Sequence, residues 1–242
     1  MTDPNGIYTS PGVLFWLAVL GLYGTVEGVI RLVRHIPPLY RYLKARWRNN
    51  THDTDFYFSY RENGYVVMPG GTDYVNSRRE RVVALKRIED VPFTYQWTGE
   101  GTITEELFPD IYTLEDLPRI TGQRAMRKHI KFGTPLEKGK VAEYTVVLKC
   151  KQDGRPPEPF LQSRSSHRVD ELLLRVAFPA NLLPDQVVYI KRNADGIELS
   201  RESIKERDRL TGEFRKLIKY AEPHASHVLE WQGISTKNEA RA

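Results

Sequence analysis

Residues 13 to 30 read VLFWLAVLGLYGTVEGVI, eighteen positions with a single charge, Glu27. As a helix the run is roughly 27 Å long at about 1.5 Å per residue, and starting at Ile7 would lengthen it. That is the short end for a hydrocarbon core of about 30 Å. Its Leu, Ile, Val and Phe side chains each favour insertion by about 0.4 kcal/mol, roughly 4 kcal/mol together, against a glutamate placed toward one end rather than at mid-membrane. A surface this apolar must be buried in lipid or in protein.

Three fates compete for it. A cleaved signal peptide carries positive charge before the apolar stretch and a small-residue cleavage site after it, whereas no Lys or Arg here precedes Arg31. A buried helix of a soluble domain stays open, because the run is short and contains Glu27. A single-pass transmembrane anchor over residues 13–35 fits best. The positive-inside rule then leaves a short N-terminus, residues 1–12, outside and places everything after the span in the cytosol.

The net charge of +5 locates that preference. Residues 1–48 hold six cations, Arg31, Arg34, Arg41, Lys44, Arg46 and Arg48, against Asp3 and Glu27. The remaining 194 residues are left with 30 basic and 29 acidic side chains and are nearly neutral, which argues against a long nucleic acid as partner. The basicity is a juxtamembrane collar, residues 36–50, in which Trp47 and two tyrosines alternate with cations after the break at Pro37-Pro38. Such a mixture suits anionic headgroups, each cation being worth about 1 kcal/mol near the surface; an ordinary solvated helix is the plainer reading. Within the span, Gly24 and Gly28 form a small-xxx-small pair, and Glu27 lies on that side, four residues before Arg31, placing a homo-oligomeric contact there.

After Asn49-Asn50 the periodicity changes to two. Short apolar runs recur about every ten residues between Gly, Pro, Asn and Asp, predicting a mainly β, antiparallel sandwich or small barrel over 51–232 and a disordered tail over 233–242. Residues 56–60 and 65–69 read as strands joined by a hairpin turn at Asn63-Gly64. In 141–151, Ala142, Tyr144, Val146, Leu148 and Cys150 face one side; Leu172, Leu174, Val176 and Phe178 form a second core face. Residues 200–221 admit two readings: Leu210, Phe214, Leu217 and Ala221 fit a helix of period 3.6, but Gly212 argues for a break, giving a polar loop or short helix followed by a strand over 213–220. The lone cysteine excludes an internal disulfide and fits a reducing compartment.

No catalytic constellation emerges, so a non-enzymatic role without cofactor or metal is expected. Gly70-Gly71 and Gly99-Glu100-Gly101 match no phosphate-binding loop. Ser165, Ser166, His167 and Asp170 are neighbours on one segment and cannot converge as a triad. His224 and His227 would need a third metal ligand from elsewhere, and His227 alternates with Leu229 and Trp231 as a core residue would. Glu100, Glu105, Glu106, Asp110, Glu115 and Asp116 read as a solvated loop face. One basic feature remains. Arg124, Arg127, Lys128 and Lys131 crowd one strand and Arg78, Arg79 and Arg81 another; paired in space they would hold phosphate groups of a nucleotide or of lipid.

The order of parts, an apolar helix followed by a β-rich domain, resembles the membrane-tethered β-rich effectors of bacterial cyclic-oligonucleotide antiphage defence. That resemblance implies a ligand-sensing effector that assembles through its membrane helix; it rests on no residue motif and carries over no binding residue. The alternative is a structural or scaffold subunit of a larger membrane-associated complex with a protein ligand.

Overall fold

The computed structural model describes residues 54–118, 125–205, 207–208 and 212–233, all within Thr54–Ala242, the second of the two units into which the chain divides. The predicted span 13–35, the collar 36–50 and, Gly233 apart, the tail 233–242 lie outside the described residues. No helix among the described residues is long and apolar enough to cross a membrane.

The body is built of strands: β1 (Phe56–Val67), β2 (Asp73–Ala84), β3 (Ile88–Tyr95), β4 (Gly101–Phe108), β5 (Thr113–Asp116), β6 (Met126–Leu136) and β7 (Val141–Gln152). They are followed by β8 (Phe160–Arg164), β9 (Val169–Ala177), β10 (Gln186–Arg192), β11 (Glu198–Ser203), β12 (Glu213–Ala221) and β13 (Ser226–Gln232). A six-stranded sheet runs β12-β9-β1-β2-β7-β4, a four-stranded sheet β11-β10-β13-β8, and a three-stranded sheet β3-β6-β5.

The mainly β expectation holds. The alternation in β7 buries Ala142, Tyr144, Val146, Leu148 and Cys150, and that in β9 buries Leu172, Leu174 and Val176 with Phe178 beyond it. β12 spans the predicted 213–220 strand. One core collects side chains from all three sheets: Phe58, Val82 and Leu174 from the six-stranded sheet, Phe93 and Ile130 from the three-stranded one, Leu229 and Trp231 from the four-stranded one. Trp231 stacks obliquely on Tyr65 at 5.3 Å and edge-on to Phe178 at 5.5 Å, tying two sheets together.

Three expectations are corrected. The hairpin turn is not at Asn63-Gly64: both lie inside the continuous β1, opposite Arg78 and Ser77, and the turn into β2 uses Gly70 and Gly71 at φ 104° and 74°. Gly64 serves close approach instead. A Cβ there would come within 2.6 Å of Ser77 Oγ and 3.0 Å of Arg175 Nε, so its absence lets Arg175 lie across the strand. The sheet is also not purely antiparallel, since β1 pairs β9 in parallel. These strands are about a hundred residues apart in sequence, so no hairpin dictates their direction. Finally, the acidic segment is a loop face only at Glu100 and Asp110, which are exposed outside the strands: Glu105 and Glu106 lie on β4, Glu115 and Asp116 on β5, and Glu106 pairs with Lys149 across the β4–β7 ladder.

β4 can begin only with a residue that lacks a side chain. Gly101 has φ 139°, and a Cβ there would overlap the carbonyl oxygen of Lys151 on β7. Gly101→Ala is expected to destabilise the body by about 2 kcal/mol or more, read as a lower urea midpoint, with amide exchange quickening first along β4.

Candidate functional site

Strand alternation with one interruption creates the most unusual feature of the body. A register shift between Phe58 and Tyr60 turns Arg61 onto the same inward face of β1 as Phe56 and Phe58. The ladders then align Leu172, Arg61, Glu80 and Tyr144 as one rung across β9, β1, β2 and β7. The three polar members are sealed from solvent, at 2%, 0% and 1% exposure for Arg61, Glu80 and Tyr144.

Glu80 is the hub. Arg61 Nε donates to its Oε1, and Arg78 donates to the same oxygen from Nε at 2.9 Å and Nη2 at 2.7 Å. The Tyr144 hydroxyl donates to Oε2 at 2.5 Å. Each guanidinium also covers an aromatic ring, Arg61 over Phe58 at 4.1 Å and Arg78 over Phe93 at 4.9 Å. Arg78 reaches on to donate to the Thr94 carbonyl at 3.1 Å, joining the six-stranded sheet to β3.

Burial works to raise the Glu80 carboxyl, but the Arg61 and Arg78 charges and the Tyr144 and Arg78 hydrogen bonds outweigh it and hold the group below the ordinary carboxylate range. Burial brings Arg61 down to about 10, which leaves it charged at neutral pH. Burial, and then the Glu80 charge, push the Tyr144 phenol well up.

The network is not closed on its own atoms. Arg61 Nη1, Asn63 Oδ1 and the Tyr65 hydroxyl are buried and have no hydrogen-bond partner among the described residues. They belong to residues that follow one another at alternate positions on the inward face of β1. A cationic donor, an amide acceptor and a hydroxyl in a row suit a small polar or anionic group, or the water that takes its place.

A second polar cluster clamps the three-stranded sheet to the six-stranded one. Lys128 on β6 reaches Glu105 on β4 at 2.5 Å and Asp116 on β5 at 2.7 Å, and the Tyr95 hydroxyl donates to Glu105 at 2.5 Å. Burial pulls the Lys128 ammonium down, but hydrogen bonds to Asp116 and Glu105 overcome it and raise the group.

The predicted basic residues are separated rather than gathered. Arg78 points inward to Glu80, whereas Arg79 and Arg81 point outward, where both bind Glu143, the latter at 2.8 Å. Lys131 pairs with Glu115 at 2.7 Å, and Arg127 stands opposite Thr94. β2 and β6 belong to different sheets. Arg124 lies outside the described residues, as do Gly24, Glu27, Gly28, Arg31, Arg34, Arg41, Lys44, Arg46, Trp47 and Arg48.

Among the described residues no group of three His, Cys, Asp or Glu side chains is placed to hold a metal ion. His227 is a core residue: its Nδ1 is 2.9 Å from the Tyr189 hydroxyl, and burial, then Lys191, bring it down to about 4. His167 stacks on Phe56 at 4.2 Å, while Asp170 is held by Arg168, so no triad forms. Burial pushes the Cys150 thiol up to about 11, as suits an inert core cysteine.

Arg61 and Glu80 are the residues that sequence reasoning missed. The signal for Glu80 was available, because Tyr74, Val82 and Ala84 occupy the same alternate positions of β2. Arg61 was hidden by the register shift and by the assumed turn at Asn63-Gly64.

No protein-family model matches the sequence, and comparison with curated proteins gives no match. Among solved structures, the chain is similar to a candidate protease from Parabacteroides distasonis ATCC 8503, with 10% identity and a TM-score of 0.46 over 74% of this chain and 40% of that one. It is also similar to an M1 zinc metallopeptidase from Deinococcus radiodurans, with 8% identity and a TM-score of 0.41 over 73% of this chain and 42% of that one. A third similarity is to leukotriene A4 hydrolase from Saccharomyces cerevisiae, with 10% identity and a TM-score of 0.41 over 78% of this chain and 33% of that one. The chain thus spans less than half the length of each, and likenesses this distant carry no activity to it. None of its six histidines is followed by glutamate, so the sequence has no H-E-x-x-H zinc motif.

Two outcomes test the site. Glu80→Gln leaves the buried Arg61 and the partly buried Arg78 without their shared counter-charge and is expected to cost about 3–5 kcal/mol in urea unfolding, whereas Tyr144→Phe costs about 1–2 kcal/mol. His227, held down in the folded body, contributes stability that is complete above its unfolded value of 6.5 and is lost as pH falls toward about 4. The loss is roughly 3 kcal/mol, and a His227→Gln variant should show a shallower decline of melting temperature across that window.

Proposed function

We propose that the chain is a membrane-anchored, non-enzymatic binding protein, with residues 13–35 as a single span and its β-rich, sandwich-type body in the cytosol. The anchor rests on the apolar run and on the basic collar that follows it. Binding rests on one observation, the row of unpartnered buried polar atoms at Arg61, Asn63 and Tyr65 beside an ionised Glu80. Buried polar groups are nearly always paired, so three on one strand face support a site for a small polar or anionic ligand between the sheets.

The layout shared with membrane-tethered antiphage effectors suggests a specific form of this proposal: a nucleotide-type ligand sensed by the body and assembly through Gly24, Glu27 and Gly28. The scaffold alternative is favoured by a different observation. Arg78, Arg79, Arg81, Lys128 and Lys131 each bind a carboxylate, as a rigid structural body would arrange them.

Thermal-shift measurement of the full chain in detergent against nucleotides, dicarboxylates and polyanions separates the two. A ligand that raises the melting temperature of the wild type by several degrees and loses that effect in Asn63→Ala supports binding at the row. No shift across the panel supports the scaffold. Carbonate washing tests the anchor independently: retention in the membrane pellet is expected, and recovery in the soluble fraction refutes it.

A further inference from the structure

Among the described residues the buried charged side chains are Arg61, Glu80, Lys128 and Glu213. Glu213 is held by Arg175 and Arg215 at 2.7 Å each, and Lys128 by Glu105 and Asp116. Arg61 differs, because the one carboxylate it reaches is shared. Arg78 spends all three of its nitrogens, Nε and Nη2 on Glu80 and Nη1 on the Thr94 carbonyl, while Tyr144 takes the second Glu80 oxygen. Arg61 reaches Glu80 through Nε, and its Nη1 is buried without a partner among the described residues. Its neighbour on the other side of the rung, Leu172, has no acceptor in its side chain. With the Tyr144 phenol neutral, Arg61, Arg78 and Glu80 together leave one positive charge without a counter-ion.

That charge is felt beyond the network. The half-buried His167 ring stacks on Phe56 at 4.2 Å and stands edge-on to Phe58 at 6.2 Å, the ring that carries the Arg61 guanidinium at 4.1 Å. Burial and then the Arg61 charge bring the His167 imidazole down, and only behind them does Glu80 act to raise it, with Asp55 and His224 acting more weakly in opposite senses.

We infer that the body holds one small monovalent anion, a halide or a small carboxylate, against Arg61 Nη1 inside the core. This rests on the row along β1 being a binding site and narrows its occupant to a single negative charge. A buried guanidinium is stable only when its charge and its donors are met, and a monoanion at Nη1 meets both while bringing the buried set to neutrality. A phosphate dianion fits less well, since its desolvation costs far more and it would leave the set negative. Size is limited by the surroundings: Phe58, Glu80 and Leu172 are each at most 1% exposed. The anion completes the rung that sets the register of β1, so it acts as a structural ligand of the six-stranded sheet.

Melting of the full chain in detergent tests this at constant ionic strength, with sodium gluconate, a monoanion too bulky for a sealed site, replaced stepwise by sodium bromide or sodium formate. A saturable rise of several degrees in melting temperature is expected with at least one of the two, and it is lost in Arg61→Met, which leaves Glu80 paired with Arg78. The salt that saturates at the lower concentration identifies halide or carboxylate as the source of the charge. In the wild type the same salt should move the NMR titration midpoint of the His167 ring upward, a readout that does not depend on Arg61→Met folding. Equal melting in all three salts, a rise that persists in Arg61→Met, or an unmoved His167 midpoint overturns the anion. If a nucleotide or dicarboxylate then still acts through Asn63, the row is a binding site with another occupant; if none does, water fills it and the binding reading falls as well.

Discussion

Glu80 is the interaction on which the body depends. A carboxylate fully removed from water is tolerable only because two guanidiniums and a phenol converge on it, and those partners come from β1, β2 and β7. The arrangement fixes register as well as charge: sliding β1 by one residue against β2 would turn Arg61 outward and leave Glu80 without its buried partner. Arg78 carries the same constraint out of the sheet to Phe93 and Thr94, so the three-stranded sheet is positioned by the same carboxylate. Ionic groups of this kind add little to net stability compared with an apolar core, and their effect lies in excluding other registers.

Charges elsewhere follow a similar logic at lower cost. On the outward face, Arg175 crosses over Gly64 to bridge Glu62 at 2.5 Å and Glu213 at 2.7 Å, linking β1, β9 and β12. Lys128 does so between sheets. The near-neutrality of the body is thus structural: acids and bases are distributed as partners, and basic residues that look clustered along a strand are divided between its faces. Buried polar atoms without a partner remain at Arg61, Asn63 and Tyr65, and singly at Trp97 and His227; the three that share one face of β1 are the ones on which the proposed binding rests.

Much of the fold was legible because period two survives wherever a strand is regular and half buried. β7 and β9 could be read residue by residue, and β12 was recognised despite a competing helical pattern. What failed did so for local reasons. Asn63-Gly64 has the composition of a tight turn, but its use here is set by Arg175, which lies far away in sequence and contributes no local signal. β4 and β5 look like acidic loop because their carboxylates face lysines and a tyrosine on strands that only the tertiary fold brings near. The parallel β1–β9 pair has no signature at all in either strand. The site was less legible than the fold, since a lone arginine after a register shift resembles any solvated arginine until its neighbours are placed.

The ionisation of Glu80 is the most direct test of this account. Carbon-13 NMR of the selectively labelled glutamate side chain, followed as pH is lowered, reports it without reference to stability or ligand. The account predicts a carboxylate signal that persists below the ordinary value of 4.5, until the body itself unfolds. A midpoint above 4.5, with the carboxyl neutral while the sheets remain folded, would mean that burial outweighs Arg61 and Arg78 and would contradict the ionic hub.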